Sequence, residues 1–477
     1  MLIRDATLEF DARRVDVRLR AQRVVEIGAR LPAEAGETVI EARGGALFPG
    51  LHDHHLHLHA AAAALRSVHC GPPQVRDAAQ LAFAIAAAPA AVDGWIRGTG
   101  YHESVAGLLD RTQLDAMAPD RPLRVQHRSG RLWMFNTPAL RRLGVYDPSS
   151  DGGPMECVDG RLTGRLYDAD AWLRGRLGDS SRRPDLRALS CELARRGITG
   201  VTDTGHSNDR AALADFAQRE DLFQHLVLMG DASLDAPEPA PSRVRIGAHK
   251  FHLHDHDLPD FEGLCDAIRR SHAAGRNAAF HCVTRGELVY ALAALEQAGS
   301  SGRDRIEHAG VAPPETMGSM SRLSVRVVTQ PHFIAERGDD YRRDVAAEDQ
   351  PHLYRLRSLV DAGIALAAGS DAPYGGLDPW RSMAAATRRR TREGHVIGAS
   401  ECLLPEQALH LYMAPLEDPG ALARRIEHGM RADLCLLDRP WGDARTALDQ
   451  VQVHATWIDG RLFRNGEPEP AEILRKQ

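Results

Sequence analysis

VRIGAHKFHLHDHDLPDFEGLCDAIRRSHAAGRNAAFHCV, residues 244–283, reads as a strand, an amphipathic helix and a second strand. The first apolar stretch runs VRIGAHKFHLH, the helical pattern FEGLCDAIRRSHAAG stops at a glycine, and NAAFHCV is again short and apolar. This order predicts a βαβ unit of a parallel sheet. The same rhythm continues outward through DRIEHAG (304–310), VRVVTQPHF (325–333) and IALAAGSDAP (364–373), with helical stretches such as RGELVYALAALEQAG between them. Upstream, GITGVTDTGH (197–206) and RPLRVQHRSG (121–130) supply two more strands, and PGL (49–51) opens another. Eight such strands close a (β/α)₈ barrel of the TIM type.

The ends of the chain have a different texture. LIRDATLEF, VDVRLRAQRVVEIG and ETVIEARG near the start, and DLCLLDRP and HATWIDGRLFR near the finish, read as short β-strands between turns. The expected architecture is therefore a discontinuous β-sandwich of residues 1–48 and 415–477 around a barrel spanning 49–414. Insertions of helices and loops are expected around 60–120 and 132–190, over the barrel mouth.

The chain has 477 residues, 43% hydrophobic content and a formal net charge of −6, which fits a folded enzyme and offers no electrostatic case for nucleic acid or an anionic membrane. No apolar run approaches the roughly 20 residues that span a bilayer, and the opening stretch lacks the apolar core of a secretory signal. Seven dispersed cysteines with no CxxC pair suggest neither disulfides nor a zinc ribbon. The expected setting is cytoplasmic, the expected partner a small-molecule substrate, and a homodimer is the one assembly to test.

In such barrels chemistry sits at the C-terminal ends of the strands. Those ends carry His55, His57, Lys250, His281, His308 and Asp371. Within GLHDHHLHLH (50–59), strand alternation puts Asp53, His55, His57 and His59 on one side and His52 and His54 on the other. Two imidazoles two residues apart can chelate one ion. Lysine occurs only at Lys250 and Lys476 among 59 basic residues, so an internal lysine in this arginine-using chain carries information. It either pairs with Asp203 or Asp371, or reacts with CO₂ to give a carbamate that bridges two cations. The accompanying histidines favour the carbamate.

PGLHDHHLH resembles the PG-x-x-D-x-H-x-H signature of the amidohydrolase superfamily. AHKFHLH, AAFH, RIEHA, QPHF, GSDAP with its following DPW, and GMRADLCLLD are similar to the amidohydrolase-3 group, as are GWIRGTGY and FNTPAL. That group includes N-substituted formamide deformylases, with D-aminoacylases as more distant relatives. The resemblance implies a binuclear centre for two divalent ions, zinc by default. His55, His57 and Asp371 would hold one ion, His281 and His308 the other, and carboxylated Lys250 would bridge them. It also implies a bridging hydroxide as nucleophile and Asp371 as the catalytic proton carrier, for hydrolysis of an amide C–N bond in a small N-acyl or N-formyl compound.

Two alternatives accompany this reading: a heterocycle deaminase of the same superfamily, and a non-catalytic barrel relative. Deaminases of this type often show a glutamate three residues after the strand 5 histidine, where this chain has Thr284. A non-catalytic relative typically loses ligands, and all six are present here. Candidate substrate contacts are Arg131, at the expected end of strand 2 and suited to clamping a carboxylate, with Tyr101, Trp133, His252, His254 and His332. A salt bridge to a loop carboxylate is an equal expectation for Arg131. His256 is expected on a solvated loop, and Asp53 as a hydrogen-bonded support.

Overall fold

Strands apolar on both faces must be covered on both, and eight of them do this here by closing into a parallel ring. They are β1 (Leu51–Leu56), β2 (Ile198–Asp203), β3 (His225–Gly230), β4 (Val244–His252), β5 (Ala278–Cys282), β6 (Arg305–His308), β7 (Arg326–Thr329) and β8 (Ala365–Ala368). They neighbour one another in chain order from β1 to β8. The ring shuts just beyond the strand ends, where the Asp371 N–H donates to His55 O at 2.7 Å and the His57 N–H to Ala372 O at 2.9 Å. The computed structural model describes residues 1–89, 93–145, 153–178, 184–234 and 243–469. The chain divides into two units, Met1–Leu58 with Leu186–Gln477, and His59–Asp185.

The chain ends meet in one nine-stranded sheet within the first unit. Its strand Ala46–Pro49 runs parallel to Leu2–Leu8 and antiparallel to Leu434–Leu437. Ile3, Val17 and Val24 from the start share a buried cluster with Leu434, Leu436, Trp457 and Leu462 from the finish. The sheet therefore curls over a common core in the manner of a sandwich, and Gly50 passes directly from it into β1.

The second unit has its own six-stranded sheet, ordered Met155–Val158, Arg161–Tyr167, Leu132–Phe135, Leu123–His127, Ile96–Tyr101, Val68–His69. This corrects the sequence-based strand list. RPLRVQHRSG forms Leu123–His127 in this sheet, paired antiparallel to Leu132–Phe135, and the remaining barrel strand is β3 instead. The physical reason lies in the residues. LRVQH mixes apolar with charged and polar side chains, as suits a sheet that is partly wet, whereas LVLMG in β3 is a continuous apolar run of the kind a parallel strand needs. The insertions expected around 60–120 and 132–190 thus join the strand between them in one folded unit. No helix among the described residues is long and apolar enough to cross a membrane.

Candidate metal centre

Pairing register sets which side chains enter the barrel. Lys250 lies beside Ala279, His252 beside His281, Ala279 beside Arg305 and His281 beside Glu307, so all of these share one face of the sheet. Into the same space His55 enters from β1 and Asp371 from the turn after β8. His55 Nε2 and His57 Nε2 each lie 3.3 Å from Asp371 Oδ1. His308 Nε2 lies 3.0 Å from His281 Nδ1. The rings of His55 and His308 stand 4.8 Å apart, and one donor atom each from His55, His308 and Asp371 fall within 4.8 Å of one another.

Local backbone geometry makes this convergence possible. His308 has φ 69°, Ala309 φ 47° and Asp371 φ 53°, left-handed values that cost a non-glycine residue and tend to collect at functional sites. Along β6 a regular alternation would point Glu307 inward and His308 outward. The turn at His308 breaks that alternation, and both face the cavity. Closure of the ring depends on Gly369, where a Cβ would lie 2.4 Å from the His55 backbone nitrogen. Gly369→Ala is expected to push β8 from β1, separating Asp371 from His55 and His57; metal content after dialysis should fall while the secondary-structure signal in far-ultraviolet circular dichroism persists.

Beneath these residues lies a buried charge network that sequence reasoning missed. Glu307 is fully buried and accepts from Arg305 Nε at 2.8 Å, from Arg305 Nη2 at 3.1 Å and from His55 Nδ1 at 2.5 Å. Burial opposes its ionisation, but Arg305, Lys250 and His55 outweigh that and hold its carboxyl well below the usual range. Glu307 thereby sets the His55 tautomer, leaving Nε2 toward Asp371. Burial disfavours an imidazolium at His55, and the Glu307 and Asp371 carboxylates overcome it and raise its pKa. Asp371 is likewise buried, and hydrogen bonds from His55 and His57 keep it ionised. Burial and then the His55 charge push His308 down to about 3, and burial with His308 lowers His281. Both are neutral at neutral pH, as ligands must be.

Lys250 is buried, and its Nζ has no hydrogen-bond partner among the described residues. Burial pulls its pKa down to about 8. The ion pairs considered for it do not form: Asp203 instead accepts from the Leu58 N–H, the Gly205 N–H and Asn208 Nδ2, and Asp371 takes the two histidines. An orphaned buried amine among four imidazoles and a carboxylate is a donor set that fits divalent transition ions.

Supporting residues surround this set. Asp53 accepts from the His55 N–H at 3.1 Å and the Ser370 N–H at 2.9 Å, tying β1 to the turn after β8. Gln330 Oε1 meets His308 Nδ1 at 2.8 Å. His332 is buried between Ser382 Oγ and Ser370 O, so it braces the Asp371 turn. The rings of His252 and His254 stand 4.6 and 6.0 Å from that of His281. Of the other substrate candidates, Arg131 is not at a barrel strand end. It follows Leu123–His127 in the second unit and grips Asp168 through Nε at 2.7 Å and Nη2 at 2.6 Å. Tyr101 is buried in that unit with its hydroxyl donating to Gly107 O, and Trp133 Nε1 donates to Asp170. The signal for Glu307 lies in RIEHA itself, a carboxylate beside His308 in a strand that is buried throughout.

A model of the amidohydrolase family matches residues 38–463. The N-substituted formamide deformylase of Arthrobacter pascens is 28% identical, the match covering 95% of this chain and 97% of that protein. Crystal structures of uncharacterized metal-dependent hydrolases from Pyrococcus horikoshii and Pyrococcus furiosus share the fold. The first has TM-score 0.73 and 20% identity over 92% of this chain and 97% of its own. The second has TM-score 0.70 and 22% identity over 92% and 98%.

Proposed function

Because the chain belongs to the amidohydrolase family, we propose that it is a metal-dependent hydrolase cleaving the C–N bond of a small N-acyl or N-formyl compound. The observation that carries this reading is the orphaned amine of Lys250, buried in the ring of imidazoles. The deformylase relative supports the N-formyl class. In this reading His55, His57 and Asp371 would hold one ion and His281 and His308 a second, and the carbamate of Lys250 would supply the anionic oxygen ligand of that pair. Divalent cations bound there supply Lewis acidity, which acidifies water and polarises a substrate carbonyl.

The residues divide the remaining work. Neutral Lys250 Nζ attacks the carbon of CO₂, a C–N bond forms, one proton leaves to water, and an anionic carboxylate replaces the unpartnered amine. Asp371, ionised at neutral pH, accepts the proton of the attacking water and returns it to the departing nitrogen. Glu307 and Asp53 keep His55 in place while this happens.

With the Lys250 pKa near 8, raising the pH increases the reactive neutral amine from about a tenth at pH 7 to about half at pH 8. Reactivation of decarboxylated, metal-free enzyme at fixed dissolved CO₂ and excess Zn²⁺ is therefore expected to quicken roughly fivefold over that step, and stopped-time activity assays read it. The function itself is tested by a hydrolysis screen of N-formyl and N-acetyl amines and N-acylamino acids, with an amino-heterocycle arm. Amide turnover abolished by a chelator is expected. Deamination with no amide cleavage would overturn the reading in favour of a deaminase.

A further inference from the structure

A cavity of about 320 Å³ lies within the first unit, at the opposite end of the barrel from the proposed metal centre. Its walls include His52, the second residue of β1, His225, the first of β3, and Arg245, the second of β4, so it opens at the N-terminal ends of the strands. The chain between Pro415 and Asp433, which leads from the barrel back to the nine-stranded sheet, supplies most of the remainder. Five arginines line this cavity against three carboxylates, Glu417, Glu427 and Asp433. The local excess of two positive charges stands out in a chain whose net charge is −6.

The acids on the His225 side are already shared. Asp433 Oδ2 and Asp459 Oδ1 each lie 3.3 Å from His225 Nε2, Arg243 Nη2 lies 3.0 Å from Asp459 Oδ2, and Arg431 stands 3.9 Å from both acids. Burial disfavours an imidazolium at His225, and these two carboxylates overcome it and raise its pKa. Three cations thus divide two carboxylates between them. Glu417 and Glu427 are exposed, where water and salt screen their charge.

Arg424 is left without an acid. Its Nε donates to Met413 O at 3.2 Å and its Nη2 to Gly50 O, both neutral acceptors, while its Nη1 has no hydrogen-bond partner among the described residues. Among those residues no carboxylate lies within ion-pair distance of Arg424 or of the exposed Arg425 beside it. Burial pulls the Arg424 pKa down to about 10, and Asp433 and Glu417 offset that only in part. A guanidinium withdrawn from water ordinarily has an anion opposite it, and here the space it borders is the cavity. We propose that this cavity binds a small organic oxyanion, its phosphate or carboxylate group on Arg424 with Arg425 and Arg245 alongside, and its carbon body against Leu226, Leu416 and Met430. A guanidinium fork matches the oxygens of either group, and the volume falls at the small end of the range for organic ligands.

The test is isothermal titration of the metal-loaded full chain with phenyl phosphate and with benzoate at constant ionic strength. The two probes carry the same apolar body, so the tighter one identifies the oxyanion group. Arg424→Gln, and separately the double variant Arg245→Gln with Arg425→Gln, are each expected to weaken binding of that probe about tenfold or more, the loss of a charge-assisted bond. Arg424 also holds two backbone carbonyls, so the circular dichroism of its variant has to match the wild type before the titration counts. The double variant alters only exposed side chains and is the deciding one. Unchanged affinity in it would overturn the proposal, as would a wild type that binds neither probe. An oxyanion held at the metal centre is bound by all three chains alike, so the outcome does not depend on the hydrolase reading.

Discussion

A Lys250→Arg chain is expected to purify folded, with less than about one equivalent of metal after loading with Zn²⁺ and bicarbonate, and without hydrolase activity. The substitution keeps charge and approximate length, so an effect of this size cannot be assigned to lost volume. What arginine lacks is a deprotonated form: its guanidinium stays charged at any working pH and cannot add to CO₂. It also plants a permanent cation in a cavity that already holds Arg305, close to where the proposed ions would sit. Lys250→Ala separates these effects. It removes the amine and leaves room, so acetate or propionate at high concentration is expected to restore part of the metal content and activity to the alanine variant and none to the arginine variant. Retention of metal and activity by Lys250→Arg would rule out the carbamate.

The second large effect is expected at Glu307, which is not itself a proposed metal ligand yet contacts the proposed ligand His55 directly. Glu307→Gln removes the negative charge that compensates buried Arg305. Breaking a buried pair by deleting one partner costs about 3–5 kcal/mol, which a urea titration of the metal-free chain will detect as a lower midpoint at unchanged slope. The same substitution leaves His55 Nδ1 facing an amide, where it now donates to the carboxylate at 2.5 Å. Loss of a carboxylate behind a metal-binding histidine lowers affinity about 10- to 100-fold, measurable by competition with a chelating dye. The double variant Arg305→Met with Glu307→Leu distinguishes the two consequences. It removes both charges, so most of the stability should return while the metal affinity stays low.

The proposed ligand positions stand out because reactive residues at strand ends are conspicuous against apolar strands. Alternation along β1 separates His55 and His57 from His52 and His54 without any coordinates, and a lone internal lysine stands out in a chain otherwise served by arginine. The barrel was readable for a related reason, since a parallel strand covered on both faces must be apolar throughout. The same rule separates two stretches that strand periodicity alone does not: LRVQH carries charged and polar side chains and lies in the second unit's sheet, whereas LVLMG has the composition that a doubly covered barrel strand requires.

Arg131 shows a different limit. Its bidentate chemistry suits a substrate carboxylate and Asp168 equally, and local sequence contains nothing to choose between them; the hairpin that brings Tyr167 opposite Leu132 delivers Asp168 as the partner.

By itself, the sequence determined the fold class, the two-ended sheet and the residue types available for chemistry, because hydrophobic periodicity and strand-end composition are local properties. Tertiary structure alone decided that Glu307 and His308, neighbours on one strand, face the same cavity, since that requires a left-handed turn at His308. It alone decided that Asp371 closes onto His55, since that requires β8 to meet β1 across Gly369. It also left Lys250 Nζ without a hydrogen-bond partner among the described residues, a property of the surrounding shell that no stretch of sequence contains.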